Sequence, residues 1–283
     1  MQFSIITPSF RNSEWLKLCV ASVADQDVDH EHIIQDSCSD DDTPNWLPQD
    51  SRVRAFIEKD RGMYDAVNRG LARASGQILA YINCDEQYLI GALKSVWKFF
   101  QDHPDVEVAF AHAIVIDPDG KYICERRASV PTKYHSWVSG NLSILTAATF
   151  FRRSLIDQRR ILFDDTMRDV SDALWVMRLI REKVRMAVLP ELLSAFTETG
   201  ANMNLKPNAQ RERAEVLAKA PAWALRCRFL IIARYRLQRL LAGHYRSRPA
   251  YDYAVFTRRS PRQRVTIRVD KPTYKFRRIP PAP

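Results

Sequence analysis

No stretch of this 283-residue sequence comes near the roughly 18 to 20 consecutive apolar residues that a bilayer-spanning helix needs. Its five cysteines (Cys19, Cys38, Cys84, Cys124 and Cys227) are odd in number, widely scattered and without metal-type spacing. They argue against a disulfide framework or a zinc site and fit a reducing compartment. The opening MQFSIITPSF lacks the charged n-region, longer apolar core and small-residue cleavage site of a signal peptide, so a cytoplasmic location is expected. There is no internal repeat and no low-complexity tract. The first loop, TPSFRNSE, is not the Gly-rich loop that cradles a triphosphate.

What is present is an ordinary globular composition, 46% apolar and 27% charged, on a chain long enough to bury a full core. The charge is unevenly distributed. Residues 1–202 hold 23 Lys+Arg against 29 Asp+Glu, a net of −6, whereas residues 203–283 hold 20 against 4, a net of +16. Such asymmetry points to an anionic partner for the last part of the chain.

Along the first hundred residues strands and helices alternate. FSIITPSF is β-branched, and Trp15 to Ala24 follows as a helix with Leu16, Val20 and Val23 inward. HIIQDS and VRAFIE read as strands, 65–74 as a helix, 77–82 as a strand and 92–100 as a helix. This alternation predicts a mostly parallel, Rossmann-like α/β sheet with helices on both faces. Ligands bind such sheets at the carboxyl ends of the strands. Thr7, Ser9, Asp36, Asp60, Asn83 and Asp85 fall at those ends. From about 106 the pattern changes to a strand over 106–117, a turn at Asp117–Gly120 and a returning strand. A helix over 169–183 and an extended segment, MAVLPELLSAF, come later.

The oddest feature is the apolar strand ILAYI running straight into Asn83-Cys84-Asp85-Glu86. Adjacent carboxylates at a strand end repel one another unless a cation or substrate offsets the cost. The segment before it is a turn, Asp60-Arg61-Gly62, then a helix opening on Asp65 and closed by Gly76. Each residue also has a plainer reading. Asp36 suits a turn or cap, Asp65 an N-cap, and Cys84 a small filler rather than a nucleophile.

These residues together resemble an inverting glycosyltransferase of family 2 with the GT-A fold. TPSF resembles the end of that family's first strand, and Asp36-x-Ser-x-x-Asp its second acidic loop. DRGMYDAVNRGLARASGQILAYINCDE resembles, nearly end to end, the stretch from its glycine turn to its metal-binding motif. The resemblance is strong over 2–90 and looser over 106–200. It implies that Asp85 holds a divalent cation, Mg or Mn, with Asn83 standing where many relatives carry the first Asp of a DxD motif. Such a cation stabilises a departing diphosphate as a Lewis acid. It implies further that Asp36 reads the nucleobase, that Thr7 and Pro8 line its pocket, and that Gly62, Asp65 and Asn68 lie near the ribose and diphosphate. The donor implied is a nucleotide sugar, a UDP-sugar first among them. The chain departs from the family's pattern at Val67, where many relatives carry Arg.

Inversion needs a general base at the acceptor hydroxyl. SDALWVMRL resembles the family's base-bearing helix, with Asp172 six residues before Arg178, and Asp169 is the competing candidate. His135 and Trp137 sit in a loop suited to stacking on an acceptor sugar, and Gly200 and Asn202 in a loop that could close over a donor. The resemblance implies a glycan or lipid-linked acceptor. PAWALRCRFLIIARYRLQRLLAGHYR (221–246) mixes an apolar stripe through Trp223, Cys227, Leu230, Leu237 and Leu241 with Arg226, Arg228, Arg234, Arg236 and Arg239. It reads as a helix packed on the domain, or as an interfacial helix on an anionic membrane surface. No nucleic-acid motif accompanies the charge. The expected division is 1–205 as a GT-A catalytic domain (1–105 nucleotide-sugar half, 106–205 acceptor half) and 206–283 as a basic, helical and extended appendage. The alternatives are a nucleotidyltransferase and a non-catalytic membrane- or nucleic-acid-binding module.

Overall fold

The computed structural model describes residues 1–139, 142–200, 207–218 and 220–276. The first half alternates as expected: β1 (Phe3–Ser9), α1 (Ser13–Ala24), β2 (His30–Asp36), a short α2 (Thr43–Trp46), β3 (Arg54–Ile57), α3 (Met63–Arg73) and β4 (Ile78–Tyr81). A three-residue strand, β5 (Glu86–Tyr88), then precedes α4 (Ala92–Asp102). The second half runs β6 (Val108–Ile116), β7 (Tyr122–Arg126), α5 (Lys133–Ser139), β8 (Thr149–Arg152), α6 (Ser154–Asp157), α7 (Ser171–Arg181) and β9 (Met186–Thr197). The last part holds α8 (Pro207–Ala218), α9 (Ala222–Arg226), α10 (Arg228–Leu241), β10 (Tyr251–Thr257) and β11 (Ser260–Val269).

Nine strands make one sheet in the order β3-β2-β1-β4-β8-β6-β9-β5, with β7 also on β6. The parallel expectation holds for β1 to β4. The second half makes the whole sheet mixed, since β8 runs antiparallel to both β4 and β6, and β7 returns from β6 through the tight turn at Asp117–Gly120. Parallel neighbours need a crossover, whereas β7 returns directly from β6 as a hairpin. β9 lies parallel to β6, with its register shifting around Pro190, which has no N–H to give the ladder.

β1 is buried along its full length, and alternate residues serve opposite layers. Phe3 and Ile5 join Cys19, Val23, Val96 and Phe100 on one face. Ile6 joins Val67, Leu71, Phe151, Trp175 and Val176 on the other. Helices therefore cover both faces. Gly70 lets α3 lie directly on β1, because a Cβ there would come within 2.5 Å of Ile6.

The basic segment is packed in pieces. α8 seats Ala209 and Val216 against Val170, Leu174 and Met177 of the α7 region. The β10–β11 hairpin buries Tyr253, Val255 and Val269 against Leu89, Ile114, Ile116 and Ala195, and Phe256 against Leu18 and Ala21. The single helical face expected through Cys227 is interrupted, because Cys227 ends α9 and begins α10. The division expected between 205 and 206, and Asn202, lie outside the described residues.

Candidate active site

The carboxyl ends of β1, β2 and β4 form one rim. Ser9 pairs with Asp36, and Ser37 N–H bonds to Ser9 O. Asp36 is fully buried, and its two oxygens accept from the Ser39 N–H (2.8 Å) and hydroxyl (2.7 Å). The next acidic residues are tethers. Asp40 takes a two-point ion pair from Arg11, Asp41 accepts from Ser13 N–H, and Asp42 binds Lys17. They tie the loop after β2 to the start of α1. Thr7 does not offer its hydroxyl to the rim: it bonds His32 Nε2 at 2.9 Å in the interior. Pro8 turns its missing N–H to the side where the β1–β4 ladder has already ended, at Ile6–Tyr81. Its carbonyl accepts from the Cys84 thiol. Burial pushes that thiol far above its ordinary value, so Cys84 is a filler that pins the acidic turn to β1.

The turn itself carries charge that nothing balances. Burial pushes the carboxyls of Asp85 and Glu86 upward, and each is pushed further by a neighbouring carboxylate, Glu198 for Asp85 and Asp85 for Glu86. Glu86 accepts from Asn83 N–H at 2.8 Å. Asn83 Oδ1 is buried without a partner. No ion pair reaches Asp85 among the described residues, and no three His, Cys, Asp or Glu side chains gather there as a metal-holding group. One carboxylate and one orphaned amide oxygen are still the donors that Mg or Mn takes when substrate phosphates complete its shell.

α3 begins two residues earlier than its pattern suggests, so Asp65 is not its cap. Gly62 is, at φ +139, a conformation that L side chains rarely adopt. Asp65 is buried between Arg61 and Arg69, which outweigh its burial and hold it below the usual carboxylate range. Asn68 uses both ends of its amide on the Phe163 backbone, at 2.9 and 3.1 Å. Phe163 in turn stacks on Tyr64 and Trp175 and meets Tyr81 edge-on. Asn68 thus clamps an aromatic hub that joins α3, β4 and α7. Val67, where relatives carry Arg, is fully buried in that core.

Asp172 opens α7, half-buried beside this hub. Burial pushes its carboxyl up to about 6, against the pull of Ala173 N–H, Arg213 and the Tyr64 hydroxyl. Tyr81, raised first by its own burial, responds both to Asp172 and to Glu86. Asp169 is engaged elsewhere, accepting from Asn208 Nδ2 at 2.6 Å. Neither tyrosine announces itself in the sequence, since each resembles an ordinary core aromatic. Phe10 was missed as well: it is 48% exposed at the rim with Arg11 and Lys59 over its ring. His135 and Trp137 belong to α5. His135 stacks on Tyr235 of α10, and Tyr134 meets Trp223 of α9. α5 is therefore the seat of α9 and α10.

The family described as "Glycosyl transferase family 2" matches residues 4–178. The chain is 33% identical over 105 residues (35% of this chain, 42% of that protein) to a putative teichuronic acid biosynthesis glycosyltransferase, TuaG, of Bacillus subtilis. It is 24% identical over 201 residues (64% and 60%) to a GalNAc(5)-diNAcBac-PP-undecaprenol beta-1,3-glucosyltransferase of Campylobacter jejuni. The chain thus spans about half the length of the curated relatives it matches. Among solved structures, S. aureus TarS 1–349 in complex with UDP-GlcNAc superposes with a TM-score of 0.59 at 18% identity, over 78% of this chain and 67% of that one. The mannosyltransferase PcManGT of Pyrobaculum calidifontis, in complex with GDP-Man and Mn2+, gives 0.54 at 17% identity, over 86% and 79%. These likenesses are of fold. No comparison points to a nucleotidyltransferase. No helix among the described residues is long and apolar enough to cross a membrane.

Proposed function

The chain belongs to glycosyl transferase family 2, and from that premise we propose that it moves a sugar from a nucleoside diphosphate donor to a hydroxyl, inverting the anomeric centre. The observation that carries this reading is the packing around Phe163: Tyr81, at the end of β4, meets its ring edge-on at 5.2 Å, and Trp175 of α7 stacks on it at 5.0 Å. That packing supports a shared space between the head of α7 and the tip of β4. In the proposed reaction Asp172 accepts the acceptor's hydroxyl proton, and the freed oxygen bonds to the anomeric carbon. The bond to the diphosphate breaks, leaving its electron pair on the phosphate oxygen. A carboxyl that titrates at about 6 is ionised at neutral pH yet still a useful base. The Tyr64 hydroxyl and the charge of Arg213 both favour its ionised form.

Asp85 and Asn83 would hold Mg2+ or Mn2+, which supplies Lewis-acid stabilisation at the departing diphosphate. Asp36 and Pro8 border the nucleobase pocket, and Thr7 contributes backbone alone. Gly62, Asp65 and Asn68 shape the ribose and diphosphate side from beneath. UDP-sugars lead the candidate donors because TarS of similar fold is described with UDP-GlcNAc. A growing or lipid-linked glycan is the acceptor class that the curated relatives suggest. Release of nucleoside diphosphate from a panel of nucleotide sugars tests the reading. One donor class should turn over in wild type but not in Asp172→Asn. Absence of both turnover and binding across the panel refutes it.

We propose the division of labour that the charge suggests, with 1–205 as the transfer domain and, within 206–283, the segment around α10 for placement at the inner face of a membrane. α10 has no buried residue, and Phe229, Leu230, Leu237, Leu240 and Leu241 are exposed. Arg226, Arg228, Arg234 and Arg236 flank them, exposed and without ion pairs among the described residues. Apolar side chains interleaved with unpaired guanidinium groups match the headgroup and acyl boundary of an anionic bilayer. Co-sedimentation with anionic vesicles, weakened by salt, is expected. Equal binding to neutral and anionic vesicles, or binding to neither, overturns the electrostatic membrane role.

A further inference from the structure

We infer that Glu212, on α8 and beyond the segment matched to the family, is a positioning residue for transfer, its carboxylate holding the turn that presents Asp172. The inference rests on Asp172 being the base. Glu212 is only 4% exposed, yet it accepts from three consecutive backbone N–H groups: Arg168 (2.9 Å), Asp169 (2.9 Å) and Val170 (3.1 Å). Asn208, one turn earlier on α8, donates to Glu212 at 2.9 Å and to Asp169 at 2.6 Å. These are the N–H groups that approach the head of α7, where the helix has no side-chain cap of its own. A buried anion there also meets the positive end of the helix dipole. Burial alone would push Glu212 up, but the backbone donors and Asn208 win and hold it below the usual carboxylate range.

The geometry separates Glu212 from its neighbours. Glu215 faces solvent with only a loose pair to Arg211 at 3.9 Å. α8 thus places Glu212 beneath the turn. Loosening the turn displaces Asp172 from the acceptor hydroxyl without touching the rim that binds donor, and a small misplacement of a reacting group is costly.

The test compares Glu212→Gln, Asn208→Ala and Glu215→Gln in full-length protein, with kcat and donor KM measured separately. Glu212→Gln puts an amide N–H2 against backbone donors. It should lower kcat by about tenfold or more with donor KM within about twofold of wild type. Asn208→Ala should show a smaller loss of the same kind, and Glu215→Gln none. A wild-type kcat in both Glu212→Gln and Asn208→Ala, or kcat and KM changing together in proportion to lost folded protein, overturns the tether. Asp172→Asn in the same series separates the two claims. If it is inactive while Glu212→Gln is wild type, the tether alone falls; if it runs at the wild-type rate, the base assignment falls and the tether with it.

Discussion

The loop after β2 and the tip of β4 are both acidic, and they differ in what their charges do. In the first, Asp40, Asp41 and Asp42 all have partners from the start of α1. At the tip of β4, Asp85 makes no ion pair and Asn83 Oδ1 has no donor among the described residues. α10 repeats the contrast with the opposite sign. Arg239 bonds to the Arg127 carbonyl and lies over Tyr235 and Tyr245, whereas Arg228, Arg234 and Arg236 face solvent without ion pairs among the described residues. A paired charge holds the fold together; the unpaired ones are where the proposed ligands would bind.

The largest expected effect comes from removing the unpaired acid. Asp85→Ala should lower transfer on the order of 10³-fold with little loss of thermal stability, and a chelator should do the same to wild type. The tether Asp42→Ala, compared directly, should leave the rate near wild type. Next comes the base. Asp172→Asn should lower kcat by roughly 10²- to 10⁴-fold. In wild type the rate should fall as pH drops through about 6, since Asp172 takes up a proton there and cannot accept another. That limb should vanish in the variant.

The tail follows. Reversing Arg228, Arg234 and Arg236 to Glu should weaken binding to anionic vesicles by about 10²-fold, at on the order of 1 kcal/mol per lost charge, and leave donor hydrolysis in solution unchanged. Arg239→Glu should instead lower the melting temperature. Smaller still, Gly62→Ala should destabilise the fold by about 1–3 kcal/mol, because φ +139 strains any side chain whatever the space around it. Asn83→Asp should sit close to wild type, since it offers a cation a second carboxylate in place of an amide oxygen.

The parallel half of the sheet was legible because apolar period and turn residues agree there, as in FSIITPS against HEHIIQD. β5 was not, since three residues carry no period, and β8 was not, since the direction of a strand depends on how the chain returns. At the rim, residue types marked Asp85 and Asn83 as candidates, but not which side chains were already engaged. Thr7 bonds His32 and Asn68 bonds Phe163, both partners set by tertiary packing. Asp172 stood ahead of Asp169 by resemblance alone, and nothing in the sequence signalled that Asn208, from a segment with no motif, engages Asp169.

The role of the unpaired acid at β4 is tested most directly by donor binding, which needs no acceptor. A nucleoside diphosphate sugar at 100 times its Kd should stabilise the wild-type chain by about 2.7 kcal/mol when Mn2+ is present. It should stabilise wild type far less in chelator, and Asp85→Ala hardly at all in either condition. Equal stabilisation of both proteins, with and without the cation, would contradict a metal-assisted donor site at the tip of β4.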